Sequence, residues 1–410
     1  MKLKNLAISR LFRQLFAAAG LAFLLPVGAS LYYASSLADA YSVRQGESLH
    51  IAAALPITAV STGETVSTAY TGASHDAAAL RLFGIFPIKT VSVAPADEVM
   101  LIPGGEPFGV RMLMDGCMVV GFGEVAGQDG RSCPGLDAGL IEGDIIREAD
   151  HAPVTSSGDL REAASAGETM LLTVCRDGKT LEMKLTPVWS VTDEAWQTGL
   201  WVRDSAAGIG TLTFYDPADG SFAGLGHPIC DPDTGCRIPL GSGEADSVTI
   251  SGSIRGAPGS PGQLQGYFSA DAPLGTLTCN TDCGIFGTAD TLPETQAIPM
   301  ALKQEVTLGD ALILTTVSGG EPEPYTARIT ALDYRDETRN MIVEITDERL
   351  LAETGGIVQG MSGSPILQDG RLVGAVTHVF VSDPTRGYGI FAETMVRART
   401  GQTHAGSAVK

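Results

Sequence analysis

A mainly β protein built from several domains is the fold class this sequence predicts, and three observations carry it. Glycine is abundant, at 50 of 410 residues, while aromatics make up only 6%. That composition favours short strands and many turns over helix bundles. Apolar runs such as Ala311 to Val317 and Tyr325 to Leu332 recur at short spacing with polar turns between them, the pattern of a sandwich or barrel. The stretch Gly360-Met361-Ser362-Gly363-Ser364-Pro365 leads into two β-type segments, Ile366-Leu367 and Leu372 to Val376, joined by the polar turn Gln368-Asp369-Gly370-Arg371. The length leaves room for two or three domains. A hydrophobic content of 44% with 18% charged residues describes a folded chain. The formal net charge of −20 argues against nucleic-acid binding, which needs a basic face.

Taken in order, residues 1–38 read as a basic tail and an anchor. Lys2, Lys4, Arg10 and Arg13 precede a charge-free stretch from Gln14 to Ala38. That stretch exceeds the roughly 20 apolar residues a transmembrane helix needs, and the basic flank belongs in the cytoplasm. Everything after Asp39 is then expected outside it. A cleaved signal peptide is the competing reading, because Ala38-Asp39-Ala40 has small residues around a cleavage-like position. Export permits disulfides. Of the seven cysteines, Cys230/Cys236, Cys279/Cys283 and Cys117/Cys133 are candidate pairs, and Cys175 completes an odd count. A zinc site from Cys230, Cys236, Cys279 and Cys283 is the rival reading, but its spacings fit the usual knuckle poorly. No metal or organic cofactor is expected.

Residues 39–90 contain apolar or alternating runs, Leu49 to Val60 and Leu80 to Ile88, and no chemical motif. They are expected to form a small β-rich spacer. In residues 91–188, Pro107-Phe108-Gly109-Val110-Arg111-Met112 precedes the apolar run Met118 to Phe122. The segment Ala138-Gly139-Leu140-Ile141-Glu142-Gly143-Asp144-Ile145-Ile146 follows, then a helix expected at about Ser157 to Ala166 and a strand over Met170 to Arg176. Gly143 allows a tight turn and Asp144 can bind nearby backbone amides. The pattern resembles the core of PDZ domains. That resemblance implies an extended peptide adding as a strand, with its C-terminus held by Phe108, Gly109 and Val110.

Residues 189–410 carry the chemistry. The glycines around Ser362 let the backbone fold tightly, so that a serine can project its hydroxyl as a nucleophile. The amides of Gly360 and Ser362 then converge where a tetrahedral oxyanion would form. A plain Gly/Ser surface turn is the competing reading. Such a hydroxyl needs an imidazole to take its proton and a carboxylate to orient that imidazole. His227, flanked by Gly226 and Pro228 at the end of an apolar segment, is the expected base. Asp347, after the apolar Val343-Glu344-Ile345, is the expected carboxylate, with Asp333 and Asp336 as fallbacks. The order His227, Asp347, Ser362 is that of the chymotrypsin-like enzymes, although Asp347 lies unusually close to Ser362 in sequence. A double β-barrel is therefore expected, with His378 on a strand lining the substrate pocket.

The segments ITDERLLAETGGIVQGMSGSPI, from Ile345, and GAVTHVFVSDPTRGYGIF, from Gly374, resemble the stage IV sporulation protein B peptidases. So do Gly226-His227, Gly284-Ile285-Phe286-Gly287, the PDZ-like segment ahead of the peptidase and the apolar N-terminus. The resemblance implies a membrane-associated serine endopeptidase of endospore-forming bacteria, acting between forespore and mother-cell membranes. It implies His227, Asp347 and Ser362 as the triad. Its implied substrates are the chain itself and a membrane-bound regulator of an intramembrane protease, whose cleavage triggers processing of a late sigma factor. A non-catalytic PDZ scaffold with a degenerate protease domain is the alternative.

Overall fold

The computed structural model describes residues 24–61, 76–319 and 321–399. Residues 24–36 are helical. Beyond them lies a four-stranded sheet in the order Ala40–Arg44, Phe86–Ala96, Asp76–Leu82, Ile57–Ser61. Tyr33, Leu37 and Ala38 pack with Tyr41, Leu80, Leu82, Val91 and Val93 in one buried cluster. The outer side of the helix exposes Leu24, Leu25, Leu31 and Tyr32. Of the stretch Gln14 to Ala38 expected as an anchor, the described second half packs Tyr33, Leu37 and Ala38 onto the sheet, where burial removes their apolar surface from water. No helix among the described residues is long and apolar enough to cross a membrane. The basic tail and the first half of the stretch lie outside the described residues.

Two antiparallel barrels follow. The first is a ring of strands in the order Pro107–Phe122, Leu240–Ile254, Gln263–Thr281, Gly284–Ala289, Ser221–Gly224 and Leu200–Asp216, closing back on Pro107–Phe122. Phe108, Val110, Leu212, Tyr215, Phe222 and Ile285 fill it. The second barrel closes through Gly309–Thr315, Glu323–Leu332, Met341–Ile345, Asp383–Phe391, Arg371–Phe380 and Pro365–Gln368. Inward and outward residues alternate along these strands, as in Glu323–Leu332 where Tyr325, Ala327 and Ile329 are buried. The hairpin after the nucleophile turn closes on Asp369 and Gly370, both at positive φ. That conformation matches the right-handed twist of the two strands it joins. A third cluster, with Phe214, Ala223 and Phe286 from one barrel and Leu372, Ala375 and Ile390 from the other, cements the two together.

Residues 123–199 are inserted between the first two strands of the first barrel. They form a small sheet from Ile145–Ala149, Met170–Arg176 and Lys179–Leu185, with a helix at Ser157–Ala164. Ser156 caps that helix reciprocally with Asp159. Gly143, at φ +89, makes the expected turn. Asp144, fully buried, accepts from the Ile141 amide at 2.9 Å and takes two bonds from Arg176 at 2.7 Å. The insertion shares strands with the barrel. Pro107–Phe122 pairs with barrel strands through Met114, turns at Gly116 and then pairs with Ile145 and Ile146. Leu200–Arg203 likewise pairs with Met118–Phe122, and Ser205–Thr211 with Pro107–Leu113.

This arrangement overturns the expected carboxylate-binding loop. Phe108 is fully buried in the barrel core. Phe108, Gly109 and Val110 are paired on both sides, with Gly208–Gly210 and with Ala245–Ser247. Gly109 is covered by the Phe268 ring. Their main-chain groups already have partners, so no peptide end can use them.

Candidate active site

The turn bearing Ser362 is pinned by both barrels. From the first, Thr211 N–H donates to the Ser362 carbonyl at 2.9 Å, Thr211 Oγ1 to the Gly360 carbonyl at 2.7 Å and Thr213 Oγ1 to the Gly363 carbonyl at 2.8 Å. From the second, the Val376 carbonyl accepts from Gly363 N–H at 2.7 Å. Gly363 stands at φ +99, where a Cβ would lie 1.9 Å from the Thr211 carbonyl oxygen, so only glycine fits. Ser364 is fully buried and hydrogen-bonds inward to Thr315 and to the Met361 carbonyl. It is a structural serine. The amides of Gly360 and Ser362 donate to no acceptor among the described residues. They remain available to an oxyanion. The Ser362 hydroxyl donates to the Thr377 carbonyl at 2.5 Å.

His227 follows two residues at positive φ, Leu225 and Gly226. Gly226 packs against Thr377, Ile390 and Ala375 of the second barrel. The sharp turn there brings the imidazole across the junction. Its Nδ1 lies 2.8 Å from the Pro228 carbonyl. A carbonyl only accepts, so Nδ1 carries the proton and Nε2 is left as the basic nitrogen. Burial holds the imidazole below its ordinary pKa, against the opposing pull of the Pro228 carbonyl. The His378 ring lies 4.6 Å away, tilted by 36°. Its surroundings, chiefly the cleft walls and then His227 and Arg339, push it down to about 4.

His227, His378, Gly360 and Ser362 line one cleft of about 460 Å³, whose walls include Ile209, Leu225, Val358 and Val379. The structure thus gathers the expected base, nucleophile, oxyanion donors and pocket histidine. It does not bring Asp347 to them. The Asp347 carboxylate caps the helix Glu348–Thr354, accepting from Arg349 N–H at 3.0 Å and from Thr326 N–H at 3.2 Å, and it pairs with the Arg349 guanidinium at 3.3 Å. Its acceptors are consumed there, and the Nδ1 proton of His227 is taken by Pro228 instead. The fallbacks do no better. Asp333 and Asp336 accept from the backbone of their own turn, at Arg335, Thr338 and Arg339. Among the described residues no carboxylate lines the cleft.

Sequence reasoning missed Thr211 and Thr377. The signal for the first was the alternation Thr211-Leu212-Thr213, which puts two hydroxyls on one face of a strand. All seven cysteines are free thiols. Cys117 is buried in the core of the insertion, whereas Cys133 Sγ is directed to the Gly199 carbonyl. Cys236 Sγ turns toward the Thr234 carbonyl. No group of three metal-ligating side chains converges among the described residues.

Solved structures similar to this chain are proteases. One is the Rv3671c protease from M. tuberculosis in its active form, at 18% identity and a TM-score of 0.30, over 50% of this chain and 78% of that one. Another is the HtrA-type protease AlgW with decapeptide, at 11% identity and a TM-score of 0.30, over 50% of this chain and 55% of that one. No curated protein matches the chain. A serine on a glycine-lined turn between two β-barrels, in one cleft with a histidine, makes this a serine-type peptidase. Residues 194–396 match the model of the SpoIVB peptidase S55.

Proposed function

We propose that the chain is a serine endopeptidase of the sporulation type. It cuts itself and a membrane-bound regulator of an intramembrane protease, outside the cytoplasm, between forespore and mother cell. The family match supports the biological setting. The mechanism rests on one observation: two unused amides, Gly360 and Ser362, flank a serine hydroxyl in a cleft shared with a histidine whose Nε2 is unprotonated.

The Ser362 hydroxyl turns from the Thr377 carbonyl toward His227. Its oxygen attacks the scissile carbonyl while Nε2 takes its proton. The resulting oxyanion is held by the Gly360 and Ser362 amides, worth about 3 kcal/mol per donor at comparable sites. The imidazolium returns the proton to the departing amine, leaving an acyl-serine that water hydrolyses by the same route. The Pro228 carbonyl, rather than a carboxylate, keeps the imidazole in the required tautomer.

Substituting Ser362→Ala tests the assignment. The variant is expected to fold as the parent does, to lose self-cleavage and to lose labelling by a fluorophosphonate. Self-cleavage persisting in the purified variant would remove the nucleophile. Absence of labelling in the parent chain would favour a scaffold with a degenerate protease domain.

A further inference from the structure

We propose that Asn280 is a positioning residue for the general base. It holds the peptide group that orients His227, the part a carboxylate plays in a Ser-His-Asp triad. This inference rests on the peptidase reading above and adds to it the residue that acts through Pro228.

The Pro228 carbonyl, 2.8 Å from the imidazole Nδ1, shares its peptide group with the Ile229 N–H. That N–H donates to Asn280 Oδ1 at 2.9 Å. One rigid plane therefore has His227 on its oxygen and Asn280 on its nitrogen. The Asn280 amide is fixed in turn, because its Nδ2 donates to the carbonyls of Ile229 at 2.8 Å and Ile238 at 2.9 Å. Carbonyls only accept, so the nitrogen faces them and the oxygen faces the Ile229 amide. These bonds leave from a strand of the first barrel, Gln263–Thr281, where Asn280 pairs with Ile285. They end on the two arms of a short hairpin that follows His227. There Ile238 N–H donates to the Ile229 carbonyl at 3.0 Å and Asp231 N–H to the Cys236 carbonyl at 2.8 Å. Among the described residues the Ile229 N–H has no other acceptor. Without Asn280 the plane is free to turn about ψ of Pro228 and φ of Ile229, and the carbonyl swings away from Nδ1. A bonded N–H also makes the carbonyl of its own peptide a better acceptor. The Pro228 carbonyl favours the protonated imidazole, so losing its bond lowers the pKa of His227 further. The other titratable groups of the cleft are Cys230, whose thiol burial pushes up, and His378, held at about 4 with Arg339 beside it. Both are the same with or without Asn280, so a difference between the two acid limbs reports His227.

The test compares the full chain with its Asn280→Ala variant by the rate at which a fluorophosphonate labels Ser362, followed across the pH range in which both stay folded. The probe loses fluoride as its phosphorus bonds to the serine oxygen, and the serine proton goes to Nε2 of His227. The rate therefore reads the base without needing a peptide substrate. Asn280→Ala is expected to label about tenfold more slowly at the plateau. Its acid limb is expected to lie lower than the parent's by about half a pH unit or more. Thr234→Val removes a hydroxyl bonded to Asp231 at 3.1 Å, at the far end of the hairpin, and is expected to leave both rate and limb unchanged. Should Asn280→Ala not melt cooperatively, Asn280→Ser, which lets water reach the same groups, takes its place with the same expectations. A slower rate on the parent's limb would make Asn280 a structural residue only and overturn the inference. So would an unchanged rate, a limb displaced upward, or an equal displacement in Thr234→Val. Failure of the parent chain to label would instead overturn the peptidase reading, and this inference with it.

Discussion

Asp347 and His227 show how one side chain's partners decide its role. Burial works against an ionised Asp347, but the Arg349 guanidinium and the amides of Thr326, Arg349 and Leu350 outweigh it and hold the carboxyl below its ordinary range. A depressed carboxyl contributes stability that is present above pH 3.8 and lost as pH falls through its folded value. Asp347→Ala is expected to cost about 1 kcal/mol, the usual worth of such a cap. Labelling of Ser362 by a fluorophosphonate should continue in this variant. Thermal melts paired with labelling rates check both halves, and a variant that melts normally yet no longer labels would return Asp347 to the catalytic group. His227 gives the opposite case. Its folded pKa is lowered below 6.5, so the unfolded chain takes up the proton first as pH falls. The neutral base is therefore expected to persist below pH 6.5, with the acid limb of kcat/KM falling there. A limb centred above 6.5 in a pH–rate profile would contradict the burial argument.

At the scale of elements, the nucleophile turn is held by a strand of the other barrel. Thr211 binds the carbonyls of Gly360 and Ser362, whose own amides donate to no acceptor among the described residues. Thr211→Val keeps the shape and removes the hydroxyl. It is expected to lower kcat about tenfold through a loosened Gly360, with KM little changed, and steady-state kinetics would read the split. Ser362, its hairpin and the strands of the second barrel were legible because their turn residues and alternation are local signals. The helix Glu348–Thr354 was not read, although Asp347 before it and Gly355 after it are ordinary start and stop residues. Without that helix Asp347 looked like a free strand-end carboxylate. Phe108–Val110 misled for a different reason. An apolar segment beside a glycine has the same local pattern whether it cups a ligand or runs through a barrel, and only long-range pairing separates the two. The pairing of Leu200–Arg203 with Met118–Phe122 spans the whole insertion and left no local trace.

Across the whole molecule, that shared pairing decides what can fold alone. Residues 91–188 looked like a separable domain, yet the strand Pro107–Phe122 belongs half to the barrel and half to the insertion. Cutting after residue 188 removes Leu200 and Val202, which pack against the insertion's core, and strips Phe108, Val110 and Met112 of the barrel residues that bury them. Exposing one such side chain costs about 1.5–3 kcal/mol, so losing several is comparable with the roughly 5–15 kcal/mol that holds a typical domain together. A fragment of residues 91–188 is accordingly expected to lack a cooperative melt by circular dichroism. A fragment of residues 97–399, which restores both barrels, is expected to show one. A sharp transition in the shorter fragment would mean that the insertion carries its own stability, and that its strands join the barrel only after each part has folded.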